Sequence, residues 1–169
     1  MRLNRLARTP PELNQMSAIY VDADACPVKD EVMRVVRRHE LVVHMVSNQW
    51  MRLDDDPLVH RVVVEQGPDI ADDWIAERAG PGDIAITADI QLAARCLEAG
   101  AAALGPDGRP FTQADIGTAL AMRDLNAHLR DTGAIAGYNP SFFKKDRLRF
   151  LDALERTVQA VLRAKPGKS

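Results

Sequence analysis

The side chains in this sequence best suited to chemistry are carboxylates, and their positions follow a pattern. Asp22 and Asp24 stand in Tyr20-Val21-Asp22-Ala23-Asp24-Ala25-Cys26-Pro27, directly after a β-branched run, and Asp89 ends Ile86-Thr87-Ala88-Asp89 after another apolar run. Asp69, Asp72 and Asp73 are spaced i, i+3 and i+4, which on a helix places them on one face. Carboxylates brought together repel one another unless a cation neutralises them. Hard oxygen donors select Mg²⁺ or Mn²⁺ over zinc. One such ion, or a pair about 4 Å apart, can activate water and steady the leaving oxygen of a phosphodiester. The plainer alternative is that Asp69 and Asp72 merely cap a helix, since acids in a first turn favour its dipole. For Asp22, Asp24 and Asp89 together at strand ends, the functional reading is the stronger one.

Other residues offer weaker signals. Lys29, in the first turn of a helix, is placed to meet a phosphate, and Asn48 and Gln49 follow a strand on the same sheet edge, where they could hold substrate. Cys26 precedes a helix start, where the dipole can lower a thiol pKa. A phosphatase loop of the form C-x5-R would need Arg where Val32 stands, so Cys26 reads as a small packing residue. The four histidines (His39, His44, His60, His128) lack zincin spacing and are assigned no chemistry. Charge is segregated: eleven acidic against three basic residues over 54–98, then eight basic against three acidic over 142–169. That reversal predicts a basic rim beside an acidic cleft, with Lys144 and Lys145 as phosphate contacts, Phe142 or Phe143 for base stacking, and Arg123 and Arg130 as extensions.

These residues need elements to position them. Ala18-Ile19-Tyr20-Val21 reads as a buried strand ending at Asp22, and 41–46, 61–64 and 84–86 as three more, with a short fifth at 101–104. Val28, Val32, Val35 and Val36 form one apolar face of a helix opened by Pro27. Further helices are expected over 69–79, stopped by Gly80-Pro81-Gly82, and over 90–99, stopped by Gly100; two more are expected over 112–131 and 144–163, linked by 133–140. Strands alternating with helices imply right-handed crossovers and a mostly parallel sheet covered on both faces. In such a sheet, ligands bind at the carboxyl ends of the strands near the topological switch point. If the first and fourth strands are neighbours, the acids converge there.

The whole chain limits the alternatives. Its 169 residues suit a single α/β domain over 16–165, with 1–15 as a flexible extension that carries three arginines but no apolar secretory core. With 46% hydrophobic and 27% charged residues, wholesale disorder is excluded. No apolar run approaches the ~20 residues of a membrane helix, so no membrane partner is expected. Two cysteines without metal or redox spacing suit a reducing cytoplasm.

Several blocks together resemble the YaiI/YqxD family of small, uncharacterised bacterial proteins. They are Asp22-Ala23-Asp24-Ala25-Cys26-Pro27-Val28-Lys29, Asn48-Gln49, Gly67-Pro68-Asp69-Ile70-Ala71-Asp72, Ile86-Thr87-Ala88-Asp89-Ile90 and Ala121-Met122-Arg123-Asp124-Leu125. That family is similar to PIN and NYN-type nuclease domains. The resemblance implies a three-layer PIN-like α/β fold with a four- or five-stranded, mostly parallel sheet and a helical C-terminal part. It also implies Mg²⁺- or Mn²⁺-dependent cleavage of RNA. Carried over by position, Asp22, Asp72 and Asp89 are the innermost metal ligands; Asp24 and Asp69 are outer ligands or proton acceptors, and Thr87 stands beside Asp89. Asp73 lies outside the motif. Tyr138-Asn139-Pro140 departs from the family's usual Gly-Gly-Pro. Two other readings remain. One is a nucleic-acid or protein-binding module that keeps the acids for structure. The other is a haloacid dehalogenase-type phosphatase using Asp22-Ala23-Asp24, although Cys26 and Pro27 stand where a Thr or Val is wanted.

Overall fold

The computed structural model describes residues 17–53, 56–67, 69–114, 116–117 and 144–164. The expected extension over 1–15, most of the helix over 112–131, the link over 133–140, the block 121–125, and Phe142, Phe143, Arg123 and Arg130 lie outside the described residues.

Five strands form one sheet: β1 (Ala18–Asp22), β2 (Val42–Ser47), β3 (Val59–Val63), β4 (Ile84–Ile86) and β5 (Ala102–Leu104). Their order is β3-β2-β1-β4-β5 and every pairing is parallel. The helices are α1 (Lys29–His39), α2 (Ile70–Arg78), α3 (Ile90–Glu98) and α4 (Lys144–Ala164). Each expected strand and helix among the described residues is present, and the sheet has five strands. The third strand begins earlier than its apolar run suggests. Val59 and His60 pair with Val43 and His44, while Val64 donates its N–H to Ser47 from just past the strand end (2.8 Å). Ladder pairing, not hydropathy, decides this boundary, because β3 is an edge strand in which His60, Arg61 and Val63 are exposed.

Side-chain alternation along the strands divides the core into two layers. Ile19, Val21, Val43, Met45, Ile84 and Ile86 face α1 and α4, meeting Val32, Val35 and Val36 of the first and Phe150, Leu154 and Val158 of the second. Tyr20, Val46 and Ala85 face the other way, against Ile75 of α2 and Leu92 and Cys96 of α3. The β1-α1-β2 and β4-α3-β5 crossovers step in opposite directions along the sheet and lie on opposite faces, so they share one hand. The winding reverses between β1 and β4, where the two connections leave for opposite faces.

On the α2 side, cross-strand register stacks rings. His44 lies 4.9 Å from Tyr20 with an interplanar angle of 16°, and His60 meets His44 edge-on at 5.0 Å. Burial pushes His44 down to about 4, with the charges of His60 and Arg78 adding to it. On the other side, α4 is fastened to α1: Glu155 accepts from Arg38 at 3.1 Å and lies 2.8 Å from His39 Nε2. Gly108 has φ 89 and runs so close beneath α4 that a Cβ would sit 2.9 Å from the Arg149 carbonyl.

A candidate metal centre at the switch point

β1 ends at Asp22 and β4 ends one residue before Thr87, so neighbouring strands deliver both residues to the same carboxyl edge. Thr87, only 2% exposed, donates its hydroxyl to Asp22 Oδ2 at 3.0 Å and accepts the Asp89 N–H at 2.9 Å. A short chain of bonds therefore joins the ends of β1 and β4 across the crevice. Burial raises the Asp22 carboxyl above its ordinary range; the Thr87 bond opposes this, and the charges of Asp24 and Asp89 reinforce it.

Asp89 is the N-cap of α3. Its Oδ1 accepts from the N–H groups of Gln91 (2.9 Å) and Leu92 (3.1 Å). Capping, which the sequence suggested for Asp69 and Asp72, thus belongs to Asp89. Asp69 stands at the start of α2 with φ 68 and makes no side-chain cap bond. An Asp in the left-handed region is uncommon but tolerated. Asp72, in the first turn of α2, reaches the other acids. Its carboxyl is pushed from 3.8 to about 6, first by burial, then by the charges of Asp89 and Asp22, a hydrogen bond with Asp89, and Asp69. Asp73, on the same helix, pairs outward with Arg95 at 2.8 Å. Thus α2 turns one acid inward and the next to the surface.

Asp24 lies in the single 3₁₀ turn Ala23–Ala25 that follows β1. It accepts a short hydrogen bond from the Ser47 hydroxyl and the Asn48 N–H at 3.2 Å, while the Gln49 N–H donates to Ser47 Oγ at 3.0 Å. Asn48 and Gln49 thus meet the site through their main chain. Ser47, 2% exposed at the end of β2, is the residue missed by sequence reasoning. It does for Asp24 what Thr87 does for Asp22. The available signal was positional: both hydroxyls end apolar strands on the edge that carries the acids.

The Lys29 ammonium donates to the Cys26 carbonyl at 2.8 Å, which closes the turn into α1. Cys26 is buried and its thiol pKa is raised, chiefly by that burial, as its packing role requires. Lys144 and Lys145 are exposed in the first turn of α4. That end of the helix lies near the crevice edge, because Arg147 donates to the Pro27 carbonyl at 2.6 Å. The rest of α4 runs away from it. Arg156 helps line a cavity of about 870 Å³ with Asp83, Gly100 and Ala101, at the amino ends of β4 and β5. A helix of this length spans about 30 Å, so its basic residues cannot all border one edge. Of the basic residues of α4, those of its first turns stand nearest the edge that carries the acids.

The donor set is all oxygen, and the Asp72 carboxyl is raised first by burial and then by the neighbouring carboxylate charges, a repulsion that a cation would relieve. In chemistry, these residues fit Mg²⁺ or Mn²⁺. Among the described residues, however, no three His, Cys, Asp or Glu side chains form a ready-made metal cage. The two observations address different distances. Asp22, Asp69, Asp72 and Asp89 lie within electrostatic reach, while Asp22 and Asp89 each commit an oxygen to Thr87 or to a helix cap.

The fold and site define a doubly wound, three-layer α/β protein with an acidic crevice at its topological switch point. The chain belongs to the family described as "Uncharacterized BCR, YaiI/YqxD family", whose model matches residues 20–160. It is 66% identical over 151 residues to a UPF0178 protein of Parvibaculum lavamentivorans, covering 89% of this chain and 99% of that one. It is also 55% identical over 148 residues to a UPF0178 protein of Rhodospirillum rubrum, covering 87% and 99%. A UPF0178 protein of Ruegeria pomeroyi is 56% identical over 155 residues, covering 90% and 100%. No solved structure matches the chain significantly. Among the described residues, no helix is long and apolar enough to cross a membrane.

Proposed function

We propose that this protein is a cytoplasmic, PIN-like, Mg²⁺- or Mn²⁺-dependent nuclease that hydrolyses phosphodiester bonds of RNA. The observation that carries the reading is that the ends of β1 and β4 and the first turn of α2 bring Asp22, Asp89 and Asp72 together. There burial first, and then the charges of Asp89, Asp22 and Asp69, push the Asp72 carboxyl up to about 6. Acids that destabilise one another at the ligand-binding edge of a parallel sheet are a signature of function over packing. Asp22, Asp72 and Asp89 would hold the cation, with Asp69 at its margin. When bound, the cation would polarise a phosphoryl oxygen and lower the pKa of water. Thr87 orients the Asp22 carboxylate, and Ser47 with the Asn48 N–H orients the exposed Asp24, which would serve as an outer ligand or proton acceptor.

A non-catalytic binding module is the second reading. It is favoured by the structural bonds that Asp89 makes as a helix cap and Asp24 makes to Ser47. An unstructured RNA of about twelve nucleotides, incubated with Mn²⁺ or with chelator, separates the two. Mn²⁺-dependent shortening is expected, with a loss on the order of 100-fold or more in the D22N and D89N variants. D89N keeps an oxygen for the α3 cap, so its loss would not simply report unfolding. Binding without turnover would replace the nuclease with the module, and phosphate release from a model monoester would favour a phosphatase.

A further inference from the structure

Trp50 is 66% exposed, more than Val63 (50%) or Leu148 (55%), the other exposed large hydrophobics among the described residues. It stands three residues beyond the end of β2, and the intervening Ser47-Asn48-Gln49 segment is pinned by Asp24 through the Ser47 hydroxyl and the Asn48 N–H. The Arg61 guanidinium lies 4.9 Å from the Trp50 ring centroid. Arg61 Nε donates to the Met51 carbonyl at 2.8 Å, which fixes that guanidinium and leaves its terminal nitrogens to donate elsewhere. Arg52, next in sequence, is also exposed.

We propose that Trp50, with Arg61 held over it, is a base-stacking subsite for single-stranded RNA on the β2–β3 flank of the acidic crevice. The inference deepens the nuclease reading and rests on the crevice being an RNA site. An exposed indole offers a π-face to any unpaired base, and an adjacent guanidinium serves the neighbouring phosphate. A duplex keeps its base faces stacked and cannot use such a platform, so the chemistry selects unpaired strands.

Register supplies the distance. Arg61 is level with Met45 and Val21, one residue short of the row that contains Asp22. Two strand spacings, about 10 Å, separate the β3 main chain from that of β1, and Arg61 points to the α1 side with Met45 and Val21. The link to the acids is the chain itself, because Trp50 is two residues, at most about 7 Å of main chain, beyond Asn48, whose N–H donates to Asp24. The subsite also answers an electrostatic need. RNA cannot approach carboxylates alone, and Arg52 and Arg61 place positive charge at the Trp50 platform. A second copy pairing with the edge of β3 that is unpaired among the described residues is the other occupant to test. The exposed His60 and Arg61 on that edge disfavour strand addition.

The test uses the full chain and a fluorescein-labelled, unstructured twelve-nucleotide RNA, with the corresponding duplex as competitor. Anisotropy is read in chelator and again in Ca²⁺. W50A is expected to raise Kd about tenfold or more, W50F to stay within about threefold, and the duplex to compete poorly. R61Q should flatten the salt dependence of log Kd by about 0.7. Wild-type affinity in W50A, or no binding by the wild type in either buffer, would overturn the proposal. So would a wild-type dimer in sedimentation that W50A converts to monomer with Kd unchanged, which would assign Trp50 to a copy–copy interface. The two readings can fail separately. Cleavage with unaltered W50A affinity removes the subsite alone, whereas Trp50-dependent binding without Mn²⁺-dependent cleavage removes the nuclease alone.

Discussion

Replacing Asp72 by Asn should stabilise the metal-free protein at neutral pH. The folded environment raises this carboxyl from 3.8 to about 6, mainly through burial and the charges of Asp89 and Asp22, so the ionised form is disfavoured. Unfolded Asp72 loses its proton near its ordinary value and folded Asp72 about two units later. Between those values the folded state holds more protons, and stability falls as pH rises. Above about 6 the penalty is fully present; below about 4 it is gone. At 1.36 kcal/mol per unit the ceiling is about 3 kcal/mol, and solvent screening of this half-exposed group reduces it to about 1 kcal/mol. For a domain of this size that corresponds to a Tm increase of about 2–4 °C. Asn keeps the shape and a donor for the Asp89 contact while removing the charge. Calorimetry in chelator from pH 4 to 8 should show the D72N advantage opening between about 4 and 6 and then remaining level. An unchanged or lower Tm at pH 7.5 would refute the view that Asp72 is held under repulsion. Mn²⁺ is expected to raise the wild-type Tm, because a bound cation would relieve the repulsion in the folded state only, and the same variant should lose that gain.

His44, lowered from 6.5 to about 4 chiefly by burial, should make stability fall as pH drops through that window, because the unfolded chain takes up the proton first. Urea titrations at pH 7.5 and 4.5 should differ less in H44F than in wild type, by about 1–2 kcal/mol after allowance for screening, and equal differences would remove His44 as the cause. Gly108→Ala should cost about 2–4 kcal/mol in urea denaturation, because it combines a left-handed φ of 89 with a Cβ placed 2.9 Å from the Arg149 backbone; a smaller loss would mean that α4 can shift.

The elements were written locally. β-branched runs mark β1 and β2, the Val28-Val32-Val35-Val36 stripe marks α1, and Gly100, at φ 96, stops α3 where the sequence suggests. The acids after β1 and β4 could be placed on a carboxyl edge from sequence, because strand direction and crossover hand are shared rules of parallel sheets. What each acid does there was decided by tertiary structure. Asp69 and Asp89 are both Asp at a helix start, yet only Asp89 caps, because backbone geometry at residue 69 turns left-handed. Thr87 meets Asp22 and Ser47 meets Asp24 only once β1 lies between β2 and β4. The same holds for Arg61 over Trp50 and for the stacking of His44 on Tyr20 and against His60. These contacts join residues on different strands and loops, and a slip of one residue in register would turn each strand's side chains to the other face. Hydrophobic periodicity is a property of one segment; register is a relation between two, and it forms only when the sheet assembles.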